Sequence, residues 1–113
     1  MELLVDSKRA FAYTAAHELD AKKPTIAFVH GAGLDHSLFG LQSRYFGYHG
    51  FNVLAADLPG HGRSEGPPLQ TVDAMAGWLF ALLDALEIGK AAIVGHSMGS
   101  LVAVECAARE PGR

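Results

Sequence analysis

The sequence predicts an α/β fold with a mostly parallel sheet, and three observations carry that reading. Short apolar runs recur at Ile26 to His30, Asn52 to Ala56 and Ala91 to Gly95. Helical spacings fill the intervals between them. Thirteen glycines and five prolines punctuate the runs instead of forming a low-complexity tract. Nearly continuous apolar strands that alternate with helices are the pattern of parallel strands covered on both faces.

The elements follow in order. Leu3 to Val5 and Arg9 to Tyr13 read as two strands joined by Asp6-Ser7-Lys8, an antiparallel hairpin. Ser37 to His49 carries Leu38, Leu41, Tyr45 and Phe46 at three- and four-residue spacings, and Gly50 is placed to end that helix. Thr71 to Glu87 is the clearest helix. Thr71 caps it, Asp73 suits its first turn, and Val72, Met75, Ala76, Leu79, Phe80, Leu83 and Leu86 form one apolar stripe. Gly89 is its expected stop. A last helix opens just after Gly95 and runs into Pro111-Gly112.

Bulk composition removes several classes of function. The chain has 113 residues, half of them hydrophobic, and a formal charge of −3. Basic residues are scattered, and Lys22-Lys23 reads as a solvated loop, so no nucleic-acid footprint is present. One cysteine, Cys106, excludes an internal disulfide and is most simply a small buried side chain. The N-terminus, Met1-Glu2-Leu3-Leu4-Val5-Asp6, turns polar too early for a signal peptide. No apolar run approaches the ~20 residues that span a bilayer, so no membrane partner is expected and a cytoplasmic location is. The six histidines and Cys106 lack metal-ligand spacing. Gly31-Ala32-Gly33 lacks the third glycine and the later acid of a dinucleotide site, and no phosphate-loop signature occurs. Neither metal nor organic cofactor is expected.

One pentapeptide carries chemistry. Gly95-His96-Ser97-Met98-Gly99 lies between an apolar strand and a helix. That context describes a nucleophile elbow, a sharp turn that lifts a serine hydroxyl off the end of a buried strand. The serine must adopt positive φ, and side chains at 95 and 99 would collide across the turn. A serine nucleophile needs a general base, an acid to orient it, and donors for the oxyanion. The Met98 N–H, at a helix N-terminus, is one candidate donor. Ala32 N–H, in the glycine-rich loop His30-Gly31-Ala32-Gly33, is the other, with Gly33 as the alternative. An ordinary helix-capping serine is the competing reading of Ser97.

Three segments together are more specific. His30-Gly31-Ala32-Gly33, then Asp57-Leu58-Pro59-Gly60-His61-Gly62-Arg63-Ser64, then Gly95-His96-Ser97-Met98-Gly99 resemble the N-terminal signatures of the α/β-hydrolase superfamily. The resemblance is to its esterase, lactonase and haloperoxidase-like branch, in the family's order. It implies an eight-stranded sheet with Ser97 after the fifth strand, and a small-molecule substrate with an ester-like carbonyl. It also implies that the acid and the catalytic histidine follow Ser97. After Ser97 only Glu105 and Glu110 are acidic, both read as solvated helix residues, and no histidine occurs. The expectation is an N-terminal portion of an α/β-hydrolase fold, one partial domain over 1–113. The later strands, the lid, the acid and the histidine would then lie outside it, in a protein of roughly 250 residues.

The remaining candidates have modest expected roles. His30 braces its loop, and His61 organises its own. Asp57 is assigned a structural hydrogen-bonding role over an acid role, and His96 a packing or hydrogen-bonding role over that of a base. Leu34 and His36 are candidate pocket residues, with exposed loop positions as the equal alternative. His17 and His49 read as surface positions. In the family's strand order, Ala91 to Gly95 would be left as a bare edge. That predicts marginal folding in isolation, or self-association through the edge. Two further readings compete with an enzyme: a non-catalytic hydrolase-fold binding module, and a complementing half that receives its acid and histidine from another chain.

Overall fold

The computed structural model describes residues 1–113. Its elements are β1 (Glu2–Val5), β2 (Lys8–Tyr13), β3 (Thr25–Val29), a 3-10 turn (His36–Phe39), α1 (Gly40–Tyr48), β4 (Asn52–Ala56), α2 (Val72–Ala85), β5 (Ala92–Gly95) and α3 (Met98–Arg109). The five strands form one sheet in the order β1-β2-β4-β3-β5. β1 and β2 form the antiparallel hairpin, and β2 continues antiparallel onto β4. β4, β3 and β5 run parallel. The hairpin loop is shorter than expected: Asp6 and Ser7, both at positive φ, make the turn, and Lys8 already pairs with Val5. Two consecutive left-handed residues are what a tight hairpin turn requires.

β3 and β4 divide their side chains between two helical layers. Ala27, Val29, Leu54 and Ala56 join α2 and α3 in the larger core. Ile26, Phe28, Val53 and Ala55 join Phe39 and Phe46 on the other face, under α1. Strict alternation of direction within a continuous apolar run is how a strand serves two cores at once.

β5 departs from the expectation that all three parallel strands are covered on both faces. Ile93 packs into the α2/α3 core, but Val94 is 42 % exposed. The strand order is the cause. β5 lies at the sheet edge with β3 as its single neighbour, and α1 reaches only the β3/β4 region.

The helices show one more correction. Residues 37–49 are not one amphipathic helix but a 3-10 turn followed by α1. Leu41 and Tyr45, expected on the apolar stripe, are 72 % and 58 % exposed. The face turned inward is Phe39, Ser43, Phe46 and Gly47, because Gly47 lets the helix approach Ala15, to which a Cβ there would come within 2.9 Å. α1 ends as expected at Gly50, which takes φ +88° while the Phe51 N–H donates to Phe46 C=O. α2 buries the whole expected stripe except the partly exposed Val72 and Leu86, and adds Trp78 and Leu82. Its stop is not Gly89. Glu87 takes the left-handed conformation, φ +58°, and the Ile88 N–H donates to Leu83 C=O at 2.8 Å, a Schellman closure two residues earlier.

Candidate active site

Ser97 sits at the junction of β5 and α3 with φ +56° and ψ −118°. Such a conformation costs an L-residue about 1–3 kcal/mol, so the surroundings must impose it. They do so through hydrogen bonds on both sides. The His96 N–H still donates to Val29 C=O at 3.0 Å, so the chain follows β3 up to residue 96. The turn then closes on itself. Gly99 N–H donates to His96 C=O, Ser100 N–H donates to Ser97 C=O, and the Ser100 hydroxyl donates to that same carbonyl at 2.5 Å.

The flanking glycines are required by contact. A Cβ on Gly95 would lie 2.1 Å from Gly99 O, across the turn. A Cβ on Gly99 would lie 2.0 Å from Val29 O, so the collision there is with the end of β3 and not with residue 95. The start of α3 therefore rests directly on the end of β3. That seat brings the following loop to the serine: a Cβ on Gly31 would be 3.3 Å from both Ser97 Cβ and His96 O.

The loop after β3 offers free donors. Neither Ala32 nor Gly33 donates its amide to a protein acceptor, whereas Leu34 N–H donates back to Gly31 C=O. Gly33 is at φ +74° with open space around it. Met98 is the first residue of α3, where an amide has no carbonyl one turn earlier in the helix. Leu34 packs beside Gly31, its Cδ1 3.4 Å from the position of a Cβ there.

His30 is fully buried. The Leu58 N–H donates to its Nε2 at 3.0 Å. An amide hydrogen can only be given, so Nε2 carries the lone pair and the ring proton sits on Nδ1. That proton goes to Gly31 C=O at 2.7 Å. Burial lowers the His30 pKa below 6.5, partly opposed by the bond to Gly31. The ring thus ties the glycine-rich loop to the loop after β4 and has no nitrogen left for catalysis.

Asp57 is also fully buried. Its Oδ1 accepts the His36 N–H at 2.7 Å and its Oδ2 accepts the Arg63 N–H at 2.9 Å. The His36 Nδ1 lies 3.0 Å from Oδ1 and donates to it, since a carboxylate only accepts. Gly62 must be glycine beside this carboxylate: a Cβ there would lie 2.3 Å from Asp57 Oδ2. Ser64 extends the network by donating to Asp57 C=O and accepting the Phe11 N–H of β2. Nothing in the spacing singles out Arg63 and Ser64. The signal that announces them is an acid followed by a glycine-rich turn, which lets the chain fold back onto its own carboxylate.

Asp35, His36 and Asp57 lie close enough together to suggest a cation site. Asp57 and His36 Nδ1 already engage each other, and Asp35 caps the turn that follows it. Asp35 Oδ1 accepts the Ser37 amide and hydroxyl as a cap, which holds its pKa below the usual carboxylate value. Asp57 holds three N–H donors.

The remaining histidines divide among local roles. His61 Nδ1 is 3.1 Å from Pro59 C=O and His49 Nδ1 is 2.6 Å from Tyr45 C=O. His96 and His17 are exposed. None of the six histidines hydrogen-bonds Ser97. Cys106 is buried, and burial raises its thiol pKa. An open cleft of about 730 Å³ is lined by Thr25, Asn52, Lys90, Ala92 and Arg113, among others. It lies at the N-terminal ends of the parallel strands, whereas ligands in open α/β sheets bind at the C-terminal ends, where Ser97 stands. No helix is long and apolar enough to cross a membrane.

Known proteins resemble this chain in sequence and in fold. A dihydrolipoyllysine-residue acetyltransferase component of the acetoin cleaving system of Cupriavidus necator is 43 % identical over 93 residues, which are 79 % of this chain and 24 % of that protein. The sn-1-specific diacylglycerol lipase of Danio rerio is 39 % identical over 83 residues, 67 % of this chain and 26 % of the lipase. The crystal structure of the enol-lactonase from Burkholderia xenovorans superposes with a TM-score of 0.89 at 30 % identity, covering 100 % of this chain and 43 % of that one. The chain thus spans less than half the length of each of these relatives. The family model for the alpha/beta hydrolase fold matches residues 24–113. With the sheet order, the elbow and these matches together, the chain belongs to the alpha/beta hydrolase fold family and carries the N-terminal portion of that fold.

Proposed function

We propose that the complete protein is a serine hydrolase acting on an ester-like carbonyl through an acyl-Ser97 intermediate. The observation that carries this reading is the positive φ of Ser97 at the strand–helix junction, with no capping bond from its side chain into α3. In the first step Ser97 Oγ attacks the carbonyl carbon, its proton passes to a general base, and the carbonyl oxygen becomes an oxyanion. The amides of Met98 and Ala32 receive that charge. The alcohol leaves with a proton, and water then releases the acid from the serine. The base and its orienting acid are assigned outside these 113 residues, because no histidine here hydrogen-bonds Ser97. The isolated chain is therefore inactive in this proposal. The names of the relatives, a lactonase, a lipase and an acyltransferase component, support an acyl group as the common substrate feature.

In the complete protein, a fluorophosphonate probe is expected to label the wild type and to fail on Ser97→Ala. Equal labelling of both would refute Ser97 as the nucleophile.

A second reading is favoured by the free edge of β5 and by the exposure of Val94 on that strand. In that reading the chain is a binding module that pairs its edge strand with a partner or a second copy, and labelling of Ser97 would be absent from every form.

A further inference from the structure

The loop that offers the Ala32 and Gly33 amides is anchored at both ends to a single neighbouring loop, each time by a histidine. At its start, His30 bridges Gly31 C=O and Leu58 N–H. At its end, His36 gives Asp57 both its backbone N–H and its ring Nδ1–H. Between the anchors, the one backbone bond made within residues 31–35 runs from Leu34 to Gly31, and Asp35 C=O accepts the Leu38 N–H of the following turn. The position of the two free amides is thus set mainly from outside the loop, whose Gly31 lies against Ser97.

The Asp57–His36 pair looks like a carboxylate–histidine dyad with a free Nε2, but it is misplaced for proton transfer from Ser97. Asp57 ends β4, and β4 and β5 are separated by β3. Two strand spacings amount to about 10 Å. The His36 ring lies still farther away, packed on Phe11 and Tyr13 of β2 with centroid distances of 5.0 and 5.8 Å. Its side chain is 24 % exposed, while the carboxylate it holds is at 0 %. A buried carboxylate with three N–H donors is a rigid post, and a ring packed on two aromatics is its strut.

We infer that Asp57 and His36 are positioning residues that hold the oxyanion-donating loop in register with Ser97. The inference rests on the serine hydrolase reading. Its specific content is that the His36 Nδ1–H bond, and not the bulk of the ring, sets the donor geometry.

Two variants separate those terms in the complete protein. His36→Asn keeps an N–H near the Nδ1 position, and His36→Leu removes it. With an aryl ester substrate, His36→Leu is expected to lose about 10- to 100-fold in kcat with KM within about twofold, because a displaced donor weakens the transition state and not the ground state. Affinity for a boronic acid, which forms a tetrahedral adduct on the serine, should fall by the same factor as kcat. His36→Asn is expected to stay within about threefold of wild type in both. His36→Gln carries its N–H at the Nε2 position, beyond Asp57. It should match His36→Leu, and it decides the case if the leucine variant does not fold. Wild-type kcat in either folded donor-displaced variant, or equal losses in Asn and Leu, would overturn the inference. Fluorophosphonate labelling of the wild type, lost in Ser97→Ala, is read first. If that fails, the hydrolase reading falls, and the His36 data are not needed to show it.

Discussion

His30 illustrates how much a single side chain decides here. Its ring is neutral because two fixed partners, a donor and an acceptor, demand one tautomer. Protonation would place an N–H against the Leu58 N–H in a buried site. The folded-state pKa is lowered from 6.5, so between the two values the unfolded chain binds the extra proton. Stability from this group is complete above pH 6.5 and is lost as pH falls through the lowered value. The urea midpoint of the protein is expected to drop between pH 7.5 and 5, and to drop less in His30→Gln, whose side chain does not titrate. An identical pH slope in the two proteins would remove His30 as a source. The family resemblance implied that His30 is a brace, but its partners are 1 and 28 residues away, and the second is visible only in the fold. The same holds for His36. It was a candidate pocket residue by position, and the structure binds it to Asp57, 21 residues on.

At the scale of the element, α2 was legible almost residue by residue. Thr71 Oγ1 accepts the Ala74 N–H at 3.0 Å, the bond its type and position announce. Thr71→Ala is expected to cost about 1 kcal/mol in urea unfolding, and Thr71→Asn to be close to neutral. A silent Thr71→Ala would mean that water caps the helix equally well. The end of α2 was misread because Gly89 invites a stop, yet tertiary packing closes the helix earlier. Glu87 takes the left-handed turn so that Ile88, whose amide closes the helix, can pack against the core. α1 was misread for a related reason. Periodicity gives the spacing of an apolar stripe, but the face that turns inward depends on where a neighbour allows close approach. Here that is Gly47 against Ala15. One polar group is caught in this seam: Ser43 Oγ is buried without a hydrogen-bond partner.

For the molecule as a whole, the consequential feature is the position of β5. It carries the candidate nucleophile at its end and pairs with β3 alone. Its other edge is open, and Val94 of the strand and Leu101 and Val104 of α3 are exposed. A polypeptide of these 113 residues is expected to self-associate as its concentration rises, by edge pairing or aggregation. Sedimentation velocity should show this, and Val94→Lys should weaken it by placing a charge beside the edge. A sharp, reversible thermal transition in a demonstrated monomer would count against the idea.

The sequence by itself determined the order of strands and helices, the cap at Thr71, and the glycine-flanked serine between β5 and α3. These are local properties: the period of apolar residues, the capping chemistry of a hydroxyl, and the absence of a Cβ where the backbone turns sharply. Only the tertiary structure decided that Val94 lies open on one face of β5, that Gly99 rests on Val29 of β3, and that two histidines clamp one loop onto another. Those outcomes depend on which segments become neighbours in space. The folding of the chain settles that through the combined packing of both faces of the sheet, which no single stretch of residues encodes.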